Sequence, residues 1–148
     1  VIEGYEFPED LWYHRQEHLW LRAGRPDEAG RLVLTVGVDA VGVEALGDVV
    51  YVQLLEVGQP IARGQALGSL EAEKMVRPML APISGVLVET NQTLVSTPRL
   101  LNTDCYGRGW VARIGATAWE SESRDLLREP GQIAAWVAAE LRSLEERR

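Results

Sequence analysis

Lysine is nearly missing from this chain. Its 148 residues include fifteen basic side chains, and Lys74 is the only one that is not arginine. Arginine serves wherever only positive charge is needed, so charge alone does not account for the exception. A primary amine can be acylated or can form a Schiff base; a guanidinium does neither readily. Cysteine is equally scarce: Cys105 stands alone, so no intrachain disulfide can form, and the thiol reads as structural. With two histidines and that one cysteine, a structural zinc site is not expected, nor is any other metal site. No apolar run approaches the roughly 20 residues that cross a bilayer. Acidic residues Glu3, Glu6, Glu9 and Asp10 stand where a secretory leader would be basic and then apolar. A soluble, cytoplasmic protein off the membrane is expected. Clusters of basic residues are lacking too. With a net charge of −7 the chain is a poor partner for nucleic-acid phosphates, though it can dock on basic protein surfaces.

What is present has the length of one domain, and it falls into three stretches. Residues 1–11 read as an irregular arm, with Pro8 limiting regular structure. Residues 12–115 read as the body, and residues 116–148 as a helical segment packed on it. Within the body, 12–22 has strand-like content but imperfect alternation. Residues 31–38 alternate well, with Leu32, Leu34, Val36 and Val38 on one face. Asp39 can cap a short helix that ends at Gly47, and 49–54 is apolar on both faces, as in a buried strand. Glycines 58, 64, 68 and 85 then punctuate short strands at about 66–71, 75–80 and 85–90. Residues 91–102 read as loop with one helical turn near 98–101, and 110–114 as a last strand. From Pro130 to about Glu145, residues Ile133, Trp136, Val137, Leu141 and Leu144 form one helical stripe. The fold class is mainly β, a flattened barrel or sandwich of short strands with short helices and a C-terminal helix. A monomer is expected.

Lys74 lies between two β-prone runs in Leu70-Glu71-Ala72-Glu73-Lys74-Met75-Val76. A tight turn about Glu73 and Lys74 would carry the amine to the tip of a hairpin, although the turn lacks an Asn-Gly signal. An amine beside Glu71 and Glu73 stays cationic, which suits recognition by a modifying enzyme better than Schiff-base chemistry.

The text around that turn resembles the glycine-cleavage H protein and, more broadly, the lipoyl/biotinyl-carrier family. Residues Ala45-Leu46-Gly47-Asp48-Val49-Val50-Tyr51-Val52, Glu56-Val57-Gly58, the Glu71-x-x-Lys74 core and Ala81-Pro82-Ile83-Ser84-Gly85 match its pattern in order. So do Asn91, Pro98, Leu100 and Asn102, then Tyr106-Gly107-Arg108-Gly109-Trp110, and at the front Pro8-Glu9-Asp10-Leu11 and His18-Leu19-Trp20. The resemblance covers about residues 8–114. It implies a flattened β-barrel of two small sheets (the lipoyl-domain-like hybrid motif) with lipoic acid in amide linkage on Lys74. Glu71, Glu73 and Met75 would be the surroundings that partners recognise, and Gly85 would turn the chain so that the flanking strands pair. The chain would be a non-catalytic carrier. A lipoate ligase or lipoyltransferase would load it. Its arm would take an aminomethyl group from a pyridoxal-phosphate decarboxylase and pass one carbon to folate on an aminomethyltransferase. A dihydrolipoyl dehydrogenase would reoxidise the dithiol.

The chain departs from the common pattern in several places. The attachment site reads Glu71-Ala72-Glu73-Lys74-Met75, and Val76-Arg77-Pro78 follows where small residues and an acid are usual. One extra residue separates Tyr13 from His18, and Cys105 replaces a proline. These features resemble the H-like lipoate-binding proteins of a heterodisulfide-reductase-like complex in sulfur oxidation, where the arm would carry sulfur or reducing equivalents. Met75 after the lysine also resembles a biotin carrier, but Glu73 stands where that family has methionine. A cofactor-free interaction module and a Schiff-base enzyme complete the alternatives.

Overall fold

The computed structural model describes residues 1–147. Its nine strands, all paired antiparallel, form two sheets. Strands β1 (Trp12–His14), β2 (Leu19–Pro26), β3 (Leu32–Val38), β5 (Pro60–Ile61), β8 (Gly85–Thr90) and β9 (Ala112–Ala116) make a six-stranded sheet in the order β1-β2-β3-β9-β8-β5. Strands β4 (Val49–Leu54), β6 (Ala66–Ala72) and β7 (Val76–Leu80) make the second, in the order β4-β6-β7. The arrangement is mainly β and sandwich-like, and among the described residues the sheets do not close into a barrel.

The main core fills the space between the sheets. Leu21, Leu34, Val36, Leu87 and Ile114 from the large sheet meet Val49, Val52, Leu67, Leu70 and Met79 from the small one. The expected Leu34, Val36 and Val38 face is this buried one, because strict alternation sends every second side chain inward. Leu32, at the start of β3, is only partly buried.

Among the described residues five α-helices connect or cover the sheets: α1 (Ala40–Leu46), α2 (Gln92–Ser96), α3 (Leu100–Thr103), α4 (Trp119–Glu122) and α5 (Pro130–Glu146). Asp39 caps α1, its carboxylate accepting from Gly42 N at 2.9 Å. Pro130 opens α5, where its missing N–H costs nothing. Helix α5 lays Ile133 and Val137 into a second cluster with Phe7, Leu11, Tyr13, Trp20 and Val41. The N-terminal arm, expected to be irregular, is thereby anchored: Phe7 and Leu11 are buried, and an isolated bridge joins Ile2 to Tyr5.

Other local expectations shift. The imperfect alternation over 12–22 reflects two strands broken by a turn at 15–18, where His18 has φ +55°. The segment 91–102 holds two short helices, α2 and α3, because Asn91 caps the first through Leu94 N. The last strand lies two residues further on than the sequence suggests.

Gly85 requires a correction. It does not turn the chain: the bend is at Pro82 and Ile83, and Gly85 opens β8 with Ile61 on one side and Ala116 on the other. A Cβ there would run into the carbonyl oxygen of Gly115 and lie 2.8 Å from Ile114 Cγ2. Glycine is needed at 85 for close approach of two strands, not for a special φ.

Candidate functional site

Strands β6 and β7 form a hairpin with Glu71 opposite Val76, and Ala72 N–H donates to Met75 C=O at 2.9 Å. Only Glu73 and Lys74 lie beyond that pair, so Lys74 stands at the tip and is exposed. Glu71, Glu73, Lys74 and Met75 are all exposed and share this one hairpin. Gly85 is not with them. It lies past the far end of β7, in the other sheet.

The tip rests on the connection between α1 and β4. Glu73 N–H donates to Asp48 C=O at 2.8 Å, and Lys74 N–H donates to Leu46 C=O at 3.1 Å. The last carbonyls of a helix have no partner inside it, and here the hairpin supplies one. The Lys74 ammonium reaches the same helix end and donates to Glu44 C=O at 3.2 Å. A cation at a helix C-terminus is favoured by the helix dipole.

Gly47 makes the seating possible. It ends α1 with φ +74° and ψ −157° while its N–H donates to Val43 C=O. A Cβ at 47 would lie 2.9 Å from Glu73 Oε1 and 3.4 Å from Lys74 Cγ. Asn102 on α3 grips both sides of this connection: its Nδ2 donates to Gly47 C=O at 2.8 Å, and its Oδ1 accepts from Val49 N–H at 2.9 Å. The sequence marked Gly47 as a helix end. Nothing local to residue 102 connected it to the lysine.

Two surfaces flank the tip. On the outer face of the small sheet, Tyr51, Glu71 and Val76 stand side by side by register, and Tyr51 and Val76 are more than half exposed. Met75 borders a cleft of about 370 Å³, whose lining includes His18, Ala45, Arg77, Glu140 and Arg147. Arg77 is fixed by a 2.7 Å bond to Glu17 C=O. His18 makes three contacts: Nδ1 lies 3.2 Å from buried Asp39, Nε2 lies 3.5 Å from Glu140 of α5, and the ring stacks on Trp136 of the same helix at 4.8 Å. Burial disfavours the charged ring, but the hydrogen bonds and charges of Asp39 and Glu140 outweigh it and hold the His18 pKa above its ordinary value. The Cys105 thiol is pushed up to about 12, first by burial and then by Asp39, so it is poorly suited to act as a nucleophile. No group of three or more metal-ligating side chains occurs among the described residues.

An exposed amine at a hairpin tip and a braced seat fit a carrier that presents one acyl-lysine. Comparison with known proteins agrees. The family model described as glycine cleavage H-protein matches residues 12–139. The glycine cleavage system H protein of Crocosphaera subtropica is 34% identical over 122 residues, which is 82% of this chain and 86% of that protein. That of Anaeromyxobacter sp. (strain K) is 42% identical over 109 residues, 74% of this chain and 80% of that one. The crystal structure of a glycine cleavage system H protein from Mycobacterium marinum superposes with a TM-score of 0.66 at 35% identity, covering 80% of this chain and 98% of that one. With the motifs in order, the lysine at a hairpin tip and the fold shared along nearly the whole of a solved relative, this chain belongs to the glycine cleavage H-protein family, a family of lipoyl carriers.

Proposed function

We propose that Lys74 is the lipoylation site and that the loaded arm serves glycine cleavage, moving between partner active sites while the body stays rigid. The observation that carries this reading is the seat of Lys74: the only primary amine on a side chain is presented at a two-residue hairpin tip, with its backbone tied to α1. The residues fit the group. Lys74 is exposed, and the Glu71 and Glu73 side chains beside it give a modifying enzyme charges to read. Bound there in amide linkage, lipoate would supply a dithiolane that accepts an aminomethyl group and, after its transfer, is left as a dithiol to be reoxidised.

The chain itself contributes position and not acid–base chemistry. Hairpin strands and backbone bonds at 46–48 fix the point from which the arm swings, and tethering raises the effective concentration of the carried group at each partner. The cleft beside Met75 borders the residue next to the attachment lysine. Partners on this reading are a lipoate ligase or lipoyltransferase, the glycine decarboxylase, the aminomethyltransferase and the dihydrolipoyl dehydrogenase.

Two of the features that resemble the sulfur-oxidation branch lie at the periphery of the fold. The extra residue between Tyr13 and His18 falls in the turn at 15–18. Pro78 sits on β7, an edge strand of the small sheet, where a missing N–H is tolerated. Neither feature lies in the buried core, and the relatives carry the glycine-cleavage name. Reconstitution tests the reading: the chain, loaded by lipoate ligase, is mixed with glycine decarboxylase and aminomethyltransferase from the same organism. Glycine-dependent one-carbon transfer supports glycine cleavage. No transfer, with both enzymes active on another H protein, overturns it.

A further inference from the structure

We propose that Asn102 is a positioning residue for the attachment lysine, acting through the Gly47–Val49 segment on which the hairpin tip rests. The proposal rests on the reading of Lys74 as the acylated residue. The hairpin has a weak turn of its own. Two-residue turns favour Asn-Gly or Asp-Gly because both central residues adopt special conformations. Here the central residues are Glu73 and Lys74, and neither has positive φ. The tip therefore draws part of its shape from outside, and the outside contacts are specific. Both loop N–H groups donate to carbonyls of the α1–β4 connection, Glu73 to Asp48 and Lys74 to Leu46.

That connection is irregular backbone between a helix end and a strand start, and its form depends on a side chain far away in sequence. Asn102 donates to Gly47 C=O and accepts from Val49 N–H, spanning Asp48 as a neighbouring strand would. A primary amide carries donor and acceptor side by side, which a hydroxyl or carboxylate cannot reproduce at both ends. Asn102 is itself held firmly, because its α3 neighbours Leu100 and Leu101 are buried in the main core. With both ends of the connection gripped, the carbonyls of Leu46 and Asp48 keep the spacing that the two loop N–H groups require. The chain of contacts runs from the core through α3 and Asn102 to Gly47–Val49, and from there to Lys74.

The test uses the full chain and two variants, Asn102→Ala and Asn102→Asp. Asn102→Asp keeps the acceptor for Val49 N–H and loses the donor to Gly47 C=O. Amide hydrogen exchange is read by NMR at Glu73 and Lys74 and, for reference, at Leu34 and Val36 in β3. In parallel, the kinetics of a lipoate ligase are measured with each protein as acceptor. In both variants the two tip amides should exchange about tenfold faster, as expected for the loss of about one net hydrogen bond. The β3 amides should change less, and the ligase KM for the protein should rise while kcat holds. If Asn102→Ala does not fold, Asn102→Asp carries the comparison. The proposal is overturned if the tip amides are unprotected in the native chain. It is also overturned if their protection persists in the variants or falls only in step with β3. A native chain that the ligase leaves unmodified at Lys74 defeats the reading of the site and leaves the exchange result standing.

Discussion

Gly47 lies directly against Lys74: a Cβ on the glycine would be in van der Waals contact with Lys74 Cγ, 3.4 Å away, and closer still to the Glu73 carboxylate. Two residues 27 positions apart in the chain thus meet at the tip of the lysine hairpin. The backbone of Gly47, at φ +74° and ψ −157°, occupies a region that side chains with a Cβ essentially do not enter.

Gly47→Ala should therefore lower stability by about 2 kcal/mol through backbone strain. It should also lift Glu73 and Lys74 off the end of α1. Urea unfolding reads the first effect and ligase kinetics the second. A variant with native stability and native loading would show that the seat tolerates a Cβ.

Lys74→Arg keeps the positive charge near the Glu44 carbonyl and should shift stability by no more than about 0.5 kcal/mol. Loading by lipoate ligase should vanish, because a guanidinium does not accept the acyl group readily. Intact mass before and after reaction with ligase, lipoate and ATP decides it. A lipoyl mass increase that persists in the variant would place the site elsewhere.

Gly85→Val should destabilise the sandwich by about 1–3 kcal/mol through overpacking between β8 and β9. The effect belongs to the large sheet and not to the hairpin, so the fraction that remains folded should still be loaded at Lys74. An unchanged urea midpoint would contradict the close approach of Gly85 to Gly115.

His18 gives a pH dependence whose sign follows from its raised pKa. Buried Asp39 and Glu140 of α5 face the ring, and Arg77 and Arg147 line the same cleft. The folded state binds the proton more tightly than the unfolded chain. The stabilisation is therefore complete below the unfolded value of about 6.5 and is lost as pH rises through the higher folded value. Urea midpoints of the native chain and His18→Gln should differ most at low pH and converge as pH rises. Parallel curves would show that protonation of His18 does not brace α5.

The net charge of −7 predicts electrostatically assisted docking on partner enzymes. Association rates measured by stopped flow should fall as salt rises toward 1 M, where the Debye length is about 3 Å. Rates that do not respond to salt would point to the apolar residues around the tip, Tyr51, Met75 and Val76, as the main contacts.

Some elements could be read locally and others could not. Helix α1 was legible because both its ends are written into adjacent residues, Asp39 as cap and Gly47 as stop. The lysine hairpin was legible because two β-prone runs flank a short turn about Glu73 and Lys74. Strand β5 has two residues, and only pairing with Gly85 and Val86 makes it a strand. No periodicity can exist over so short a span. Gly85 was singled out, but its reason, the backbone of Gly115 across the sheet, has no local trace. The break between β1 and β2 was blurred because His18 adopts positive φ without being glycine, held by Asp39 and stacked on Trp136.

By itself the sequence determined which side chain carries a primary amine, since it contains a single lysine, and it marked the short turn between β-prone runs on which that amine sits. Such properties depend on residue identity and on neighbours a few positions away. Only the tertiary structure decided what the turn rests on. The bonds from Glu73 and Lys74 to Asp48 and Leu46, and the grip of Asn102 on Gly47 and Val49, join residues between 25 and 55 positions apart. Backbone groups carry no side-chain identity, so which carbonyl a given N–H finds is settled only when the sheets and α3 close around the same core.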